Sequence, residues 1–75
     1  MEVNLINVHE GDVIVLHNGN RIPIIEISRT YSKLFNTNIY MINGKFNFYR
    51  ENGINHSGCS PFNIVDVLRN NKSIF

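Results

Sequence analysis

The chain has no alanine, no tryptophan, a single cysteine and only 17% charged residues. Each shortage excludes something. One cysteine, Cys59, leaves no internal disulfide framework. The charges nearly cancel, seven Lys+Arg against six Asp+Glu, so the long-range phosphate attraction of a basic nucleic-acid-binding protein is missing. No apolar run approaches the ~20 residues that span a bilayer, and no secretory leader pattern opens the sequence. Few charges do not mean disorder here, because 43% of the residues are hydrophobic. The expectation is one soluble intracellular domain over residues 1–75, with no membrane association. At 75 residues such a chain buries only about 60% of the surface its unfolded form exposes, which leaves little margin of stability. Oligomerisation is a common remedy at this size, and a homo-oligomer, a dimer or higher, is expected.

What the chain has in abundance is asparagine, thirteen in all. The asparagines are dispersed rather than clustered, unlike a prion-like tract, and several fall at turn positions where they do local structural work. His17-Asn18-Gly19-Asn20 interrupts an apolar stretch from Asp12 to Ile27. Asn-Gly between apolar runs predicts a hairpin, because a type I′ turn needs positive φ at both central residues. Val13–His17 should therefore pair with Arg21–Ile27, with Pro23 marking an edge or a bulge. Upstream, Met1–Val8 alternates loosely, with Val3 and Leu5 on one face. Ser28–Asn38 is the least regular stretch and reads as mostly loop, partly packed through Tyr31, Leu34 and Phe35. Thr37–Ile42 and Lys45–Arg50 read as strands about an Asn43-Gly44 turn, and Asn52-Gly53 marks another turn. Ile54–Pro61 is a polar loop, Phe62–Arg69 a last apolar strand, and residues 70–75 a frayed tail. Short strands with regularly spaced turns and no amphipathic helical repeat predict an all-β fold. The specific expectation is a small SH3-like five- to six-stranded barrel or sandwich of antiparallel hairpins.

Residues able to carry chemistry are few. His56 precedes Cys59 by three positions in a polar loop and Asp66 follows, but no flanking motif supports a Cys–His nucleophile, so no enzyme activity is expected. The same His56-x-x-Cys59 pair supplies only half of a structural zinc set, so no metal or other cofactor is expected. Phosphate-loop and dinucleotide-binding signatures are both missing. Lys45, Phe46, Phe48, Tyr49 and Arg50 superficially interleave cations with aromatics as single-stranded nucleic-acid binders do, yet the near-neutral charge argues against that partner. Alternation puts Phe46 and Phe48 on one strand face, assigned to the core, and leaves Tyr49 exposed or lining a groove. Arg21, Arg29, Arg50, Tyr31, Tyr40, Tyr49, His56, Ser60 and Asn63 offer groups suited to an anionic or nucleotide-like molecule. Arginine supplies bidentate contacts, and tyrosine supplies stacking plus a hydroxyl.

Several segments resemble small bacteriophage-encoded proteins of largely uncharacterised function. Val15-Leu16-His17-Asn18-Gly19 is similar to their "L-R-N-G" hairpin, with Ile22–Ile27 as the following strand. Asn43 through Gly53 is similar to their "N-G…Y-x-x-D/N-G" hairpin. Ser60-Pro61-Phe62-Asn63-Ile64-Val65-Asp66-Val67-Leu68 is similar to their "S-x-x-D-I-V-E-V" close. His17 stands in place of the usual arginine, and Asn63 in place of the first acid of the closing motif. The resemblance covers roughly residues 11–69 and marks a fold more than a site. By analogy of class, it implies an accessory protein of the host cytoplasm that binds something from the host without catalysis. The leading expectation is sequestration of a nucleotide-derived bacterial immune signal by Arg50, Tyr49 and His56, with Arg29 and Tyr31 next. The alternatives are an SH3-like protein–protein interaction module that inhibits a host protein, and a nucleic-acid-binding small barrel.

Overall fold

The chain folds as two antiparallel sheets over one apolar core. The computed structural model describes residues 3–44 and 47–75. Among the described residues, β1 is Val13–Leu16, β2 Arg21–Pro23, β3 Ile27–Ser32, β4 Thr37–Ile42, β5 Phe48–Arg50, β6 Ile64–Arg69 and β7 Lys72–Ser73. One sheet runs β2-β1-β6-β7 and the other β3-β4-β5. The architecture is all-β, with seven short strands where five or six were expected, and the sheets do not close into a barrel. The Cα radius of gyration, 11.3 Å, is that of a close-packed chain of this length. No helix among the described residues is long and apolar enough to cross a membrane.

The β1–β2 hairpin forms with Val13 opposite Pro23 and Ile14 opposite Ile22. Pro23 ends the edge strand of its sheet, where its missing donor costs nothing. The turn differs from the expected type, since only Gly19 has positive φ. The connection spans residues 17–20 and is closed by Leu16 N–H donating to the Asn20 carbonyl at 2.8 Å. The turn with two positive φ values in a two-residue β loop is instead Asn70-Asn71, at 53° and 63°, which joins β6 to β7. The end of the chain is therefore not frayed. Leu68 pairs with Ser73, Ile74 N–H donates to the Val67 carbonyl at 3.0 Å, and Ile74 packs on the core.

Ser28–Asn38, expected to be mostly loop, is the long hairpin of the second sheet. Ile27 through Ser32 pair one-for-one with Ile42 through Thr37. Its strand character comes from Ile, Thr and Tyr, residues that suit a pleated surface even without clear apolar alternation. The segment between β2 and β3 is held by one side chain. Asn43 Oδ1 accepts from Ile25 N–H at 2.7 Å and Glu26 N–H at 3.2 Å, while its Nδ2 donates to the Pro23 carbonyl at 2.7 Å. This anchors the bend that buries Ile24 and leaves Ile25 exposed.

The core is mostly aliphatic: Val3, Leu5, Val8, Ile14, Leu16, Ile24, Ile42, Ile64 and Val67, joined by Tyr40 and Tyr49. The N-terminal stretch contributes through a 3-10 turn, Leu5–Asn7, rather than a strand. Met1 and Glu2 of that stretch lie outside the described residues. Ile64 and Val67 both point inward although three positions separate them. A β-bulge between Val15 and Leu16 of β1 and the facing residues of β6 resets the alternation and turns Val65 out. Asp12, buried beside this core, takes two hydrogen bonds from Arg69, Nε at 2.9 Å and a terminal nitrogen at 2.8 Å, and a third from His9 N–H at 2.9 Å. The same Arg69 nitrogen reaches the Asn7 carbonyl at 2.9 Å, so the residue clips the end of β6 to the N-terminal segment.

Candidate functional site

Cross-strand register decides which side chains of the second sheet meet. Arg29 lies opposite Tyr40, and Tyr40 opposite Tyr49, so these three form one row on the core-facing side. Arg50, one residue on, lies opposite Ile39 on the outer side. Tyr49 is consequently buried rather than exposed, though it does line a groove, and Phe48, assigned to the core, is 37% exposed. Phe46, assigned to the core with it, lies outside the described residues. Burial pushes the Tyr49 hydroxyl pKa up, with an opposing pull from its hydrogen bond to Asn55. Tyr49 is thus a core residue whose ring edges a second groove near Cys59 and Phe62, not an exposed platform.

Arg50 and His56 do come together, and Phe35 is what joins them. The Arg50 guanidinium lies 4.9 Å above the Phe35 ring centroid, within cation–π range. His56 meets the same ring edge-to-face, with centroids 4.9 Å apart and planes at 89°. Phe35 sits in the turn between β3 and β4 and is 42% exposed. His56 is fixed by the loop after β5, whose N–H donates to the Phe48 carbonyl at 2.8 Å. Asparagines shape that loop: Asn52 Oδ1 accepts from Ile54 N–H, Asn55 Oδ1 from Ser57 N–H, and Asn63 Oδ1 from Asn55 N–H. These are the side-chain turns that asparagine forms with its own backbone, plus one cross-link.

Beside this cluster is an open groove of about 500 Å³ lined by Val3, Asn4, Phe35, Thr37, Arg50 and Glu51. Two polar atoms of the cluster, Arg50 Nε and His56 Nδ1, are buried without a hydrogen-bond partner. Buried donors and acceptors in folded proteins are nearly always satisfied, and exceptions call for a cause. The Tyr40 hydroxyl, buried in the same sheet, has no partner of full hydrogen-bond geometry, but Arg29 and Glu51 lie near enough to act on it.

The other expected residues separate from this cluster. Arg29 borders a smaller cavity with Tyr40 on the core-facing row. Tyr31 is 55% exposed and donates its hydroxyl to Asn36 Oδ1. Cys59 is exposed and lines the Tyr49 groove, while His56 is turned to Phe35. No group of three or more His, Cys, Asp or Glu side chains able to hold a metal ion occurs among the described residues. Phe35 was legible only as a partly packed aromatic, because its role depends on Arg50 and His56 arriving from fifteen and more positions away. Asp12 and Arg69 belong to the fold. The Arg69 hydrogen bonds hold the Asp12 carboxyl below the usual carboxylate range against the opposing effect of burial. No protein-family model, no curated protein and no solved structure matches the chain.

Proposed function

We propose that this protein is a non-enzymatic binder that holds a small anionic, nucleotide-like molecule in the groove beside Arg50. One observation carries the reading: Arg50 lines the groove with its guanidinium stacked on Phe35, while its buried Nε lacks a partner, as does Nδ1 of His56, which packs on the same ring outside the groove lining. Arginine stacked on an aromatic ring is preorganised, so a phosphate or carboxylate that docks on it costs little further ordering. The groove also offers the Asn4 amide and the Thr37 hydroxyl for orientation. The similarity of the hairpins to phage-encoded proteins supports the more specific form, an accessory protein that sequesters a bacterial nucleotide signal in the host cytoplasm, with assembly into a homo-oligomer supplying further walls.

The strand order supports the finer description of the fold as an SH3-like small barrel left open. The first strand pairs with the penultimate one, a three-stranded meander lies between, and a 3-10 turn, Ser60–Phe62, immediately precedes β6. That scaffold hosts many unrelated binding functions, so it does not choose among them.

The test is calorimetric titration of the full chain with a cyclic dinucleotide, a linear dinucleotide, ATP and inorganic phosphate. Saturable binding of one nucleotide, weakened about tenfold or more by Arg50→Ala through loss of charge-assisted hydrogen bonds, is the expected result. Binding by none of them, or binding indifferent to both Arg50→Ala and Phe35→Ala, overturns it. A second reading is a protein-interaction surface, favoured by the exposed Phe48 and half-buried Met41 side by side on the outer face of the same sheet. It predicts a stoichiometric protein partner lost on Phe48→Asp.

A further inference from the structure

Among the described residues four strands form the outer edges of the two sheets, and three of them are closed off. β2 has three residues and ends in Pro23, β7 has two residues, and β5 is met by the loop after it through a Tyr49–Asn55 bridge. These are the usual protections of an edge. β3 has none of them. It runs six residues, Ile27–Ser32, without proline or bulge, and Ser28, Arg29, Thr30 and Tyr31 are all exposed. Its pairing with β4 decides which backbone groups are left over. Asn43 N–H donates to the Glu26 carbonyl at 3.0 Å and the register continues one-for-one, so Ser28, Thr30 and Ser32 exchange hydrogen bonds with β4. The N–H and C=O groups of Ile27, Arg29 and Tyr31 point the other way, where no described residue pairs with them.

We infer that the β3 edge is the interface with a second copy of this chain, the two β3 strands pairing antiparallel about a two-fold axis at Thr30. The strand suits its own image. Ser28-Arg29-Thr30-Tyr31-Ser32 is balanced about Thr30, so the axis sets Ser28 against the partner's Ser32, Thr30 against the partner's Thr30 and Arg29 against the partner's Tyr31. Arg29 and Tyr31 are the residues whose backbone groups face outward, so each exchanges both hydrogen bonds with the residue opposite. An axis at Arg29 keeps that parity but sets two arginines directly opposite, which is unfavourable. The flanks fit the same axis. Glu26 precedes the strand and Lys33 follows it, both exposed and neither in an ion pair among the described residues. Just beyond them stand Ile25 and Leu34, 76% and 86% exposed, the barest large hydrophobic side chains described. The two-fold brings each Lys33 to the partner's Glu26, and each Leu34 to the strand end where the partner's Ile25 stands. A foreign strand would require none of this symmetry. The inference rests on the homo-oligomer part of the proposed function, which it makes specific, and not on what the Arg50 groove binds.

The experiment is sedimentation velocity of the full chain over a concentration series, alongside Tyr31→Pro, Lys33→Glu and the double variant Glu26→Lys with Lys33→Glu. A species of twice the chain's mass that grows with concentration is expected. Tyr31→Pro removes an outward N–H that β4 does not use, so the chain should fold, as its amide spectrum will show, and no longer pair. Lys33→Glu, at an exposed turn position, should weaken the dimer severalfold, and the charge-swapped double variant should restore it. That recovery is one a merely local effect on folding does not produce. Should Tyr31→Pro fail to fold, the charge swap alone decides. Calorimetric titration of the same samples with the nucleotides keeps the two readings apart. A chain that is monomeric at every concentration overturns the interface, whether or not the groove binds, and leaves β3 as an edge for a foreign strand. A dimer indifferent to both Tyr31→Pro and Lys33→Glu overturns the edge assignment and moves the contact elsewhere.

Discussion

In the four-stranded sheet, buried polarity is answered. Asp12 accepts from Arg69 twice and from the His9 backbone, and the aliphatic side chains of β1 and β6 fill the space around it. In the three-stranded sheet and the loop after it, Arg50 Nε and His56 Nδ1 are buried without partners, and the buried Tyr40 hydroxyl has only the off-geometry Arg29 and Glu51 beside it. The two sheets share one core and the same strand chemistry, so strand propensity does not explain the difference. An unsatisfied buried group costs about 1–3 kcal/mol, and a small domain carries it only where something compensates. One sheet is finished as a structural platform. The other keeps Arg50 Nε and His56 Nδ1 buried without partners beside an open groove.

The sharpest way to break the comparison is to damage the platform. Ile14, 1% exposed at the centre of β1, should cost about 3 kcal/mol on Ile14→Ala, or roughly 15 °C in melting temperature. Calorimetry checks this, and a loss no larger than that from truncating exposed Phe48 would remove the distinction between the sheets. Next is the point where the loop after β5 touches the platform. A Cβ on Gly53 would sit 2.6 Å from the Ile64 carbonyl at a φ of +86°, so Gly53→Ala should cost about 2 kcal/mol in urea unfolding.

A smaller effect concerns acid. Asp12 titrates below its ordinary 3.8 when folded, so the unfolded chain binds more protons as pH falls through that value. The stability contributed by the Asp12–Arg69 pair is therefore complete above about pH 4 and is lost as pH falls through the folded pKa. Asp12→Asn should lower stability at neutral pH and flatten that acid limb, measured as unfolding midpoint against pH. The smallest effect has the opposite sign. Tyr40→Phe removes a buried hydroxyl without a full-geometry hydrogen bond, so stability should hold or rise by up to about 1 kcal/mol. A clear loss of stability would mean that the hydroxyl is satisfied and that the contrast between the sheets is smaller than drawn.

The parts legible in the sequence were those written in local chemistry. Asn18-Gly19 between apolar runs placed the β1–β2 hairpin, although the turn itself takes another form. Asn70-Asn71 lacks glycine and hid a true two-residue hairpin, because asparagine can adopt positive φ alone. Alternation showed that Phe48 and Tyr49 face opposite ways. It could not show which way is inward, since that is decided by what packs on the other side. Arg50 and His56 were singled out as polar groups at a strand end and in a loop, and the fold brings them to one ring. The same reasoning offered no route to the Asp12–Arg69 clip, whose partners lie at opposite ends of the chain, nor to the role of Asn43 in holding the β2–β3 bend.

The pairing of β1 with β6 also sets an order of assembly. The β3–β4–β5 meander joins neighbours in sequence and closes short loops, whereas Val13 must find Leu68 across most of the chain. Such distant contacts cost more loop entropy and form late. On a ribosome, β1 and β2 emerge before β6 and keep one edge unpaired until it appears. The four-stranded platform is then completed after the meander that carries Arg50 can begin to pair.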